Sequence, residues 1–345
     1  MVALKRTPVA DGLCMPAEWA PHQSTLVSWP CREKSWRGHI AGARSEYAEV
    51  IKAIQMFEPV HILTSPATLT EARAMLPEGS DLIPADLDDS WMRDNGPIFV
   101  SSPSGDVAMV DFRFNAWGSK SAYVKDDAVP KFLSERLDIR RYPAPMVLEG
   151  GSFSVDGEGT LLTTEQCLLN ENRNADMSRA EIEADLKDFL GVKKMIWLGQ
   201  GQADDVTDGH VDGVACFCSP GKVMIARTKD AHDPNHDSLE VNRARLETET
   251  DAKGRSIEVI DIVQPRPREY EGLVITPGYI NHYVVNGGVV APEFGIPEDS
   301  LAIDTLRSVY SDREVVSVHV GHIEICGGGI HCITQQIPNG PFLSR

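Results

Sequence analysis

The sequence predicts a mixed α/β fold, richer in strands than in helices, forming one domain over residues 1–345. Three observations carry that expectation. Short β-branched runs recur along the whole chain, amphipathic helical patterns fall between them, and no Pro/Gly/Ser-rich linker or low-complexity segment interrupts the series.

In chain order, the runs 61–64, 97–100, 107–112, 159–164, 194–198, 214–218, 223–226, 257–263, 284–291 and 315–320 are bounded by Gly, Pro, Asn or Asp and read as strands. The first helical stripe is Tyr47, Val50, Ile51 and Ile54, at i, i+3, i+4 and i+7. A second helix fits residues 126–137. A third opens on Ser178 with Glu181 three residues on, a capping box, and stops at Gly191. Two more fit 238–250 and 299–310. The mixture excludes an all-β sandwich and disfavours strict β/α alternation. The stretch 264–268 (QPRPR) is the nearest thing to a linker, and strand-like sequence follows it at once.

Composition bounds the function. With 42% hydrophobic and 24% charged residues the chain is ordinary globular material, and its net charge of −18 opposes binding to nucleic acid or to an anionic membrane. A cation would be drawn to it. The seven cysteines show no disulfide-framework spacing, which points to a reducing compartment. The start of the chain carries Lys5 and Arg6 without an apolar signal core, and no run approaches the roughly 18 apolar residues of a membrane helix, so a cytoplasmic protein is expected.

The chemistry concentrates in glycine-rich turns. Cys332 follows Gly327, Gly328 and Gly329, where free backbone amides can help a thiolate. Cys216 and Cys218, by contrast, alternate along one strand like small core residues. His210 and Asp212, two apart, would share one face of a strand, and a carboxylate beside an imidazole makes a general acid/base. The same pair could ligate a metal, but no second ligand pair stands nearby; His232 and His236 flank Pro234 in a polar stretch that reads as solvated loop. Asp94 and Glu149, with Asp212, imply a carboxylate-lined pocket, and carboxylates crowd together only around a cation. A guanidinium is always charged and offers a planar fork to two carboxylates. A reaction follows: the Cys332 thiolate attacks the guanidinium carbon while Asp94 and Asp212 hold the flanking nitrogens. His210, oriented by Glu149, then protonates the leaving ammonia and activates water. No metal or organic cofactor is required.

Five segments, MPAEWAPH, WMRDNGP, EGGSFSVDGEGTLLTTEQCLLNENRN, TDGHVDG and GGGIHCITQQIP, together resemble the agmatine deiminases of the guanidino-group-modifying superfamily and span residues 15–338. That resemblance implies a pentein fold, a five-bladed α/β propeller of ββαβ repeats. It also implies an amidino intermediate on Cys332, acid/base catalysis by His210, and a core completed by Asp94, Asp212 and Glu149. Two positions depart from the family pattern: Asp208 stands where Asn is common before Gly-His, and His282 where an aromatic is common. The implied reaction turns agmatine into N-carbamoylputrescine and ammonia. Trp91 and Trp117, with Trp19 and Glu18, are the candidates for holding the aliphatic chain and distal amine through apolar and cation–π contact. The alternatives are a related deiminase acting on peptidylarginine or free arginine, and a non-catalytic pentein used for binding. A homo-oligomer is compatible with such a chain, though no sequence feature establishes it.

Overall fold

The computed structural model describes residues 6–345; Lys5, noted above, lies outside them. Five of its sheets follow one plan, an antiparallel pair whose second strand is joined through a helix to a parallel third. Antiparallel neighbours need only a short turn, whereas parallel neighbours need a crossover of a dozen or more residues. The alternation of brief turns with amphipathic helices is that rule written into the chain.

In the first sheet Thr334–Pro338, near the C-terminus, pairs antiparallel with His22–Ser28, which runs through helix Ile40–Gln55 to the parallel strand Val60–Thr64, and Asp81–Pro84 adds a further parallel edge. The second sheet is Ile98–Ser101, Val107–Arg113, helix Val129–Leu137 and Arg141–Val147. The third is Phe153–Val155, Thr160–Thr164, helix Arg179–Leu190 and Lys194–Leu198. The fourth is Ala215–Ser219, Lys222–Arg227, helix His236–Thr248 and Glu258–Val263. The fifth is Tyr283–Val285, Gly288–Glu293, helix Glu298–Val309 and Glu314–His319. A small hairpin, Arg268–Tyr270 with Leu273–Ile275, stands outside the repeats.

All five expected helices are the crossovers of these units. In the first, Tyr47, Val50, Ile51 and Ile54 are fully buried, as the stripe requires. Ser178 and Glu181 cap the third helix reciprocally, and it ends at Gly191 in the left-handed conformation. One expected strand is corrected: 284–291 is two strands, because Asn286–Gly287 forms a tight hairpin turn between Val285 and Gly288. The closing strands were not anticipated, since they hide their periodicity behind buried polar residues. Ser24, Thr25 and Ser28 in one, and Thr334, Gln335 and Gln336 in the other, are all buried.

Candidate active site

Each of the five units contributes a residue from the same place, the turn that leads into its first strand. Asp94 lies in the helical turn Met92–Asn95 before Ile98, and Glu149 and Gly151 precede Phe153. His210 and Asp212 flank the 3₁₀ turn Val211–Gly213 before Ala215, Asn281 precedes Tyr283, and Cys332 precedes Thr334. These residues meet in the interior.

Cys332 Sγ lies 3.5 Å from Asp212 Oδ2 and 3.2 Å from Asn281 Nδ2, while its amide donates to Asn281 Oδ1 at 3.2 Å. Burial, then the charges of Asp212 and Asp94, push the thiol well above its ordinary range. A buried thiol between carboxylates stays protonated until a cation arrives among them.

His210 Nδ1 stands 3.8 Å from Asp94 Oδ1 and 4.0 Å from Asp212 Oδ1, and Nε2 stands 3.8 Å from Glu149 Oε2. These are charge contacts rather than hydrogen bonds, and no protein atom among the described residues hydrogen-bonds either nitrogen. Burial pulls the imidazolium down, but Asp94, Cys167 and Glu149 outweigh it and hold the group well above its usual value. Asp94 is pushed up to about 6, by burial first and then by Asp212 and Glu149, against the pull of His210 and Trp117. Its Oδ2 accepts from Trp117 Nε1 at 2.9 Å and its Oδ1 from the Gly151 amide at 3.1 Å. Gly151 makes this crowding feasible, because a Cβ there would come within 2.6 Å of His210 Nδ1 and 3.0 Å of Asp94 Oδ1. No side chain fits.

All five expected core residues are thus brought together, with one correction to the local argument. His210 and Asp212 converge through a 3₁₀ turn and not through the alternation of a strand. Glu149 faces His210 as expected, but its other oxygen pairs with Arg173 Nε at 2.7 Å, both groups having fully buried side chains. Burial raises Glu149 while His210 and Arg173 lower it, and the net direction is down. Donor atoms of Glu149, Cys167 and His210 lie within 4.8 Å of one another, a spacing a metal could use; the adjoining Arg173 guanidinium opposes a second cation there.

A cavity of about 150 Å³, open to solvent, reaches Cys332 and is lined by Asp94, Trp91, Trp117, Asp89, Arg37 and Lys120 among others. Trp91 and Trp117 meet edge to face with centroids 6.4 Å apart, and Trp91 stacks on Trp36 at 5.4 Å. Glu18 and Trp19 do not line it. Glu18 is turned to His331 Nε2 at 2.9 Å and Arg93 Nη1 at 3.4 Å, and His331 Nδ1 meets Asp212 Oδ2 at 2.8 Å, which draws Asp212 down against its burial. Asn281, His331, Arg173 and Asp89 were not singled out as site residues in the sequence. Asn281 had a legible signal, its place before the first strand of a repeat, visible once the repeats are aligned.

The departing positions are also placed. Asp208 adopts a positive φ of 62°, tolerated by Asn and Asp, and its carboxylate takes Lys120 Nζ and Asn172 Nδ2 at 2.7 and 2.8 Å. His282 hydrogen-bonds Tyr279 O and Tyr310 Oη, each at 2.9 Å, away from the Cys332 cavity.

Comparison with known proteins agrees with this arrangement. The sequence profile of the Porphyromonas-type peptidyl-arginine deiminase family matches residues 14–338. An agmatine deiminase of Stutzerimonas stutzeri is 44% identical over 99% of this chain and 100% of its own length. The structure of the agmatine deiminase of Enterococcus faecalis catalysing its reaction superposes with a TM-score of 0.93 at 36% identity, covering 97% of this chain and 98% of that one. A cysteine-to-serine variant of C. jejuni agmatine deiminase with substrate bound superposes at 0.88 and 26% identity, over 95% and 97%. With the family profile covering nearly its whole length and a relative this similar end to end, the chain belongs to the agmatine deiminase family.

Proposed function

We propose that this protein hydrolyses agmatine at its guanidinium carbon, giving N-carbamoylputrescine and ammonia through an amidino-thioether on Cys332. The observation that carries the reading is the convergence of Cys332, Asp212, Asp94 and His210, drawn from two units and the turn before the closing strand, on one buried point. The incoming guanidinium supplies the missing counter-charge among Asp94 and Asp212, so the Cys332 thiol loses its proton to solvent as the substrate binds while His210 keeps its own. Sulfur then adds to the carbon. The C–N bond breaks as His210 donates its proton to the departing ammonia, and the same imidazole accepts a proton from water as water adds to the amidino carbon. Collapse breaks the C–S bond and returns the thiol.

Trp91 and Trp117 wall the path of the tetramethylene chain, and Asp89, a buried carboxylate lining the same cavity, is the candidate partner of the distal ammonium. Asp89→Asn should raise KM for agmatine about tenfold with little change in kcat. Free arginine is the second reading, because Arg37 and Lys120 also line the cavity and could meet its carboxylate. Lys120, however, is already held by Asp208 and by Val206 O at 2.7 Å. The net charge of −18 supports a cationic small molecule over nucleic acid, and seven free cysteines support a reducing, cytoplasmic setting. Among the described residues no helix is long and apolar enough to cross a membrane. Pairing of Thr334–Pro338 with His22–Ser28 supports one catalytic domain over 1–345.

The test is mass spectrometry of enzyme quenched with acid during turnover of agmatine, arginine and a peptidylarginine. An agmatine-derived amidino adduct on the peptide containing Cys332, absent from Cys332→Ala, is the expected result. Full turnover by Cys332→Ala sinks the mechanism, and a faster kcat/KM for arginine overturns the substrate.

A further inference from the structure

Outside the active site, a second group of ionisable side chains draws together three separate parts of the chain. His39 is the residue before helix Ile40–Gln55, His322 lies in the short helix Gly321–Glu324, and Glu271 sits at the tip of the hairpin that stands outside the five repeats. Glu271 Oε2 lies 2.9 Å from His39 Nδ1, and its Oε1 lies 3.3 Å from His322 Nε2. All three donor atoms fall within 4.8 Å of one another. The side chains are 21%, 20% and 48% exposed, open to solvent without being loose on the surface.

The orientation of His322 makes this more than a chance meeting of surface charges. Its Nδ1 meets Glu46 Oε1 at 2.8 Å, and the same carboxylate accepts the backbone amides of His322 and Ile323, each at 2.8 Å. With Nδ1 turned to the carboxylate that already accepts those two amides, Nε2 is the ring nitrogen left facing Glu271. A carboxylate behind one imidazole nitrogen, with the other aimed outward, is the usual support of a histidine that binds a metal. The ring is held from the sides as well. Tyr270 packs against it edge-on with centroids 5.4 Å apart, and Gly42 leaves the room it occupies, since a Cβ there would lie 2.4 Å from the ring. Two carboxyl groups, Glu46 and Glu271, thus flank the His322 ring on its two nitrogens.

We infer that His39, Glu271 and His322 form a site for a divalent transition-metal ion of zinc type, with Glu46 as the outer carboxylate that orients His322. Two imidazoles and a carboxylate suit Zn²⁺, and tetrahedral coordination asks for donors about 3.3 Å apart, so the observed spacing needs only small side-chain rotations. A fourth position is left for water. The site is separate from the thiol chemistry but adjoins its walls. Ser35 and Arg37, just before His39, line the cavity, as do Cys326, Gly327 and Gly328 after His322, and Cys326 Sγ hydrogen-bonds Ser35 O at 2.8 Å. A bound ion would fasten those two segments and the hairpin to one another.

The test is titration of the metal-free full-length protein with Zn²⁺ and with Co²⁺, following heat and visible absorption. Wild type should bind one equivalent at this site. Its Co²⁺ spectrum should carry d–d bands without a sulfur-to-metal charge-transfer band, which separates it from any ion taken up by Cys332 or Cys167. His39→Gln and Glu271→Gln, both on the surface and outside the catalytic machinery, should each weaken that binding on the order of 100-fold, and Glu46→Gln on the order of tenfold. Loss of agmatine turnover in the Cys332→Ala protein should leave it unchanged. No stoichiometric binding, a thiolate-type spectrum only, or equal affinity in His39→Gln and Glu271→Gln would each overturn the assignment.

Discussion

His210 and His282 are both buried, and each stands beside the first strand of a repeat, yet they titrate in opposite directions. Among the described residues His282 hydrogen-bonds neutral groups, Tyr279 O and Tyr310 Oη, and burial draws it down to about 4. His210 suffers the same burial but faces Asp94, Glu149 and Asp212, and is held well above its usual value. Desolvation sets the starting point and the carboxylates decide the sign. One histidine is therefore a neutral structural hydrogen-bonder, and the other favours its protonated form, as the proposed departure of ammonia requires.

The largest expected effect tests that division directly. His210→Asn should lower kcat for agmatine by about 10²–10⁴-fold, whereas His282→Phe should leave kcat within a few-fold of wild type. Comparable losses in both variants, measured by ammonia release, would erase the distinction.

Next in size is Glu149→Gln. It removes the charge facing both His210 Nε2 and Arg173 Nε, leaving a buried guanidinium short of its partner, and should cost about 3 kcal/mol of stability in urea denaturation. It should also pull the alkaline limb of the rate profile to lower pH, since that limb reports loss of the His210 proton. The acid limb should fall below about pH 6, where Asp94 takes up a proton and ceases to attract the guanidinium. An alkaline limb that does not move in Glu149→Gln would disconnect the two residues.

An effect of similar size on stability, without one on turnover, lies in the dependence of stability on pH. His282 has a folded value near 4 against an ordinary 6.5, so the unfolded chain binds the proton first as pH falls. Its contribution is intact above 6.5 and is lost progressively down to about 4, on the order of 3 kcal/mol in full. His282→Phe should flatten the Tm-against-pH curve in that window. An unchanged slope would show that His282 is not held neutral.

The chemistry was far more legible in the sequence than the geometry that assembles it. Cys332, His210, Asp94, Asp212 and Glu149 each stood in a dense motif of glycine and reactive side chains, and those motifs are local. Trp91 and Trp117 were legible as aromatics near them, and the cavity places both. Glu18 pointed elsewhere because His331 and Arg93 claim its carboxylate, a matter of partners more than 70 residues away. Asn281, which touches both the amide and the sulfur of Cys332, sits in no such motif.

The amphipathic stripes and capping box placed all five crossover helices, because a helix face is written at a period the chain itself displays. Ten strand runs were likewise marked by their own side chains, one of them folded in two by Asn286–Gly287. The strands that close the first sheet were invisible for the opposite reason: Thr25, Gln335 and their neighbours are polar residues held in the interior by folded-state partners, the backbone pairing of the two strands across the length of the chain and side-chain bonds such as Thr25 Oγ1 to Glu58 Oε1. Reaction type followed from residue identity. The protonation of the site followed from packing, because three acids and a histidine within about 4 Å acquire their charges from one another, and distances across the repeats exist only once the chain has folded.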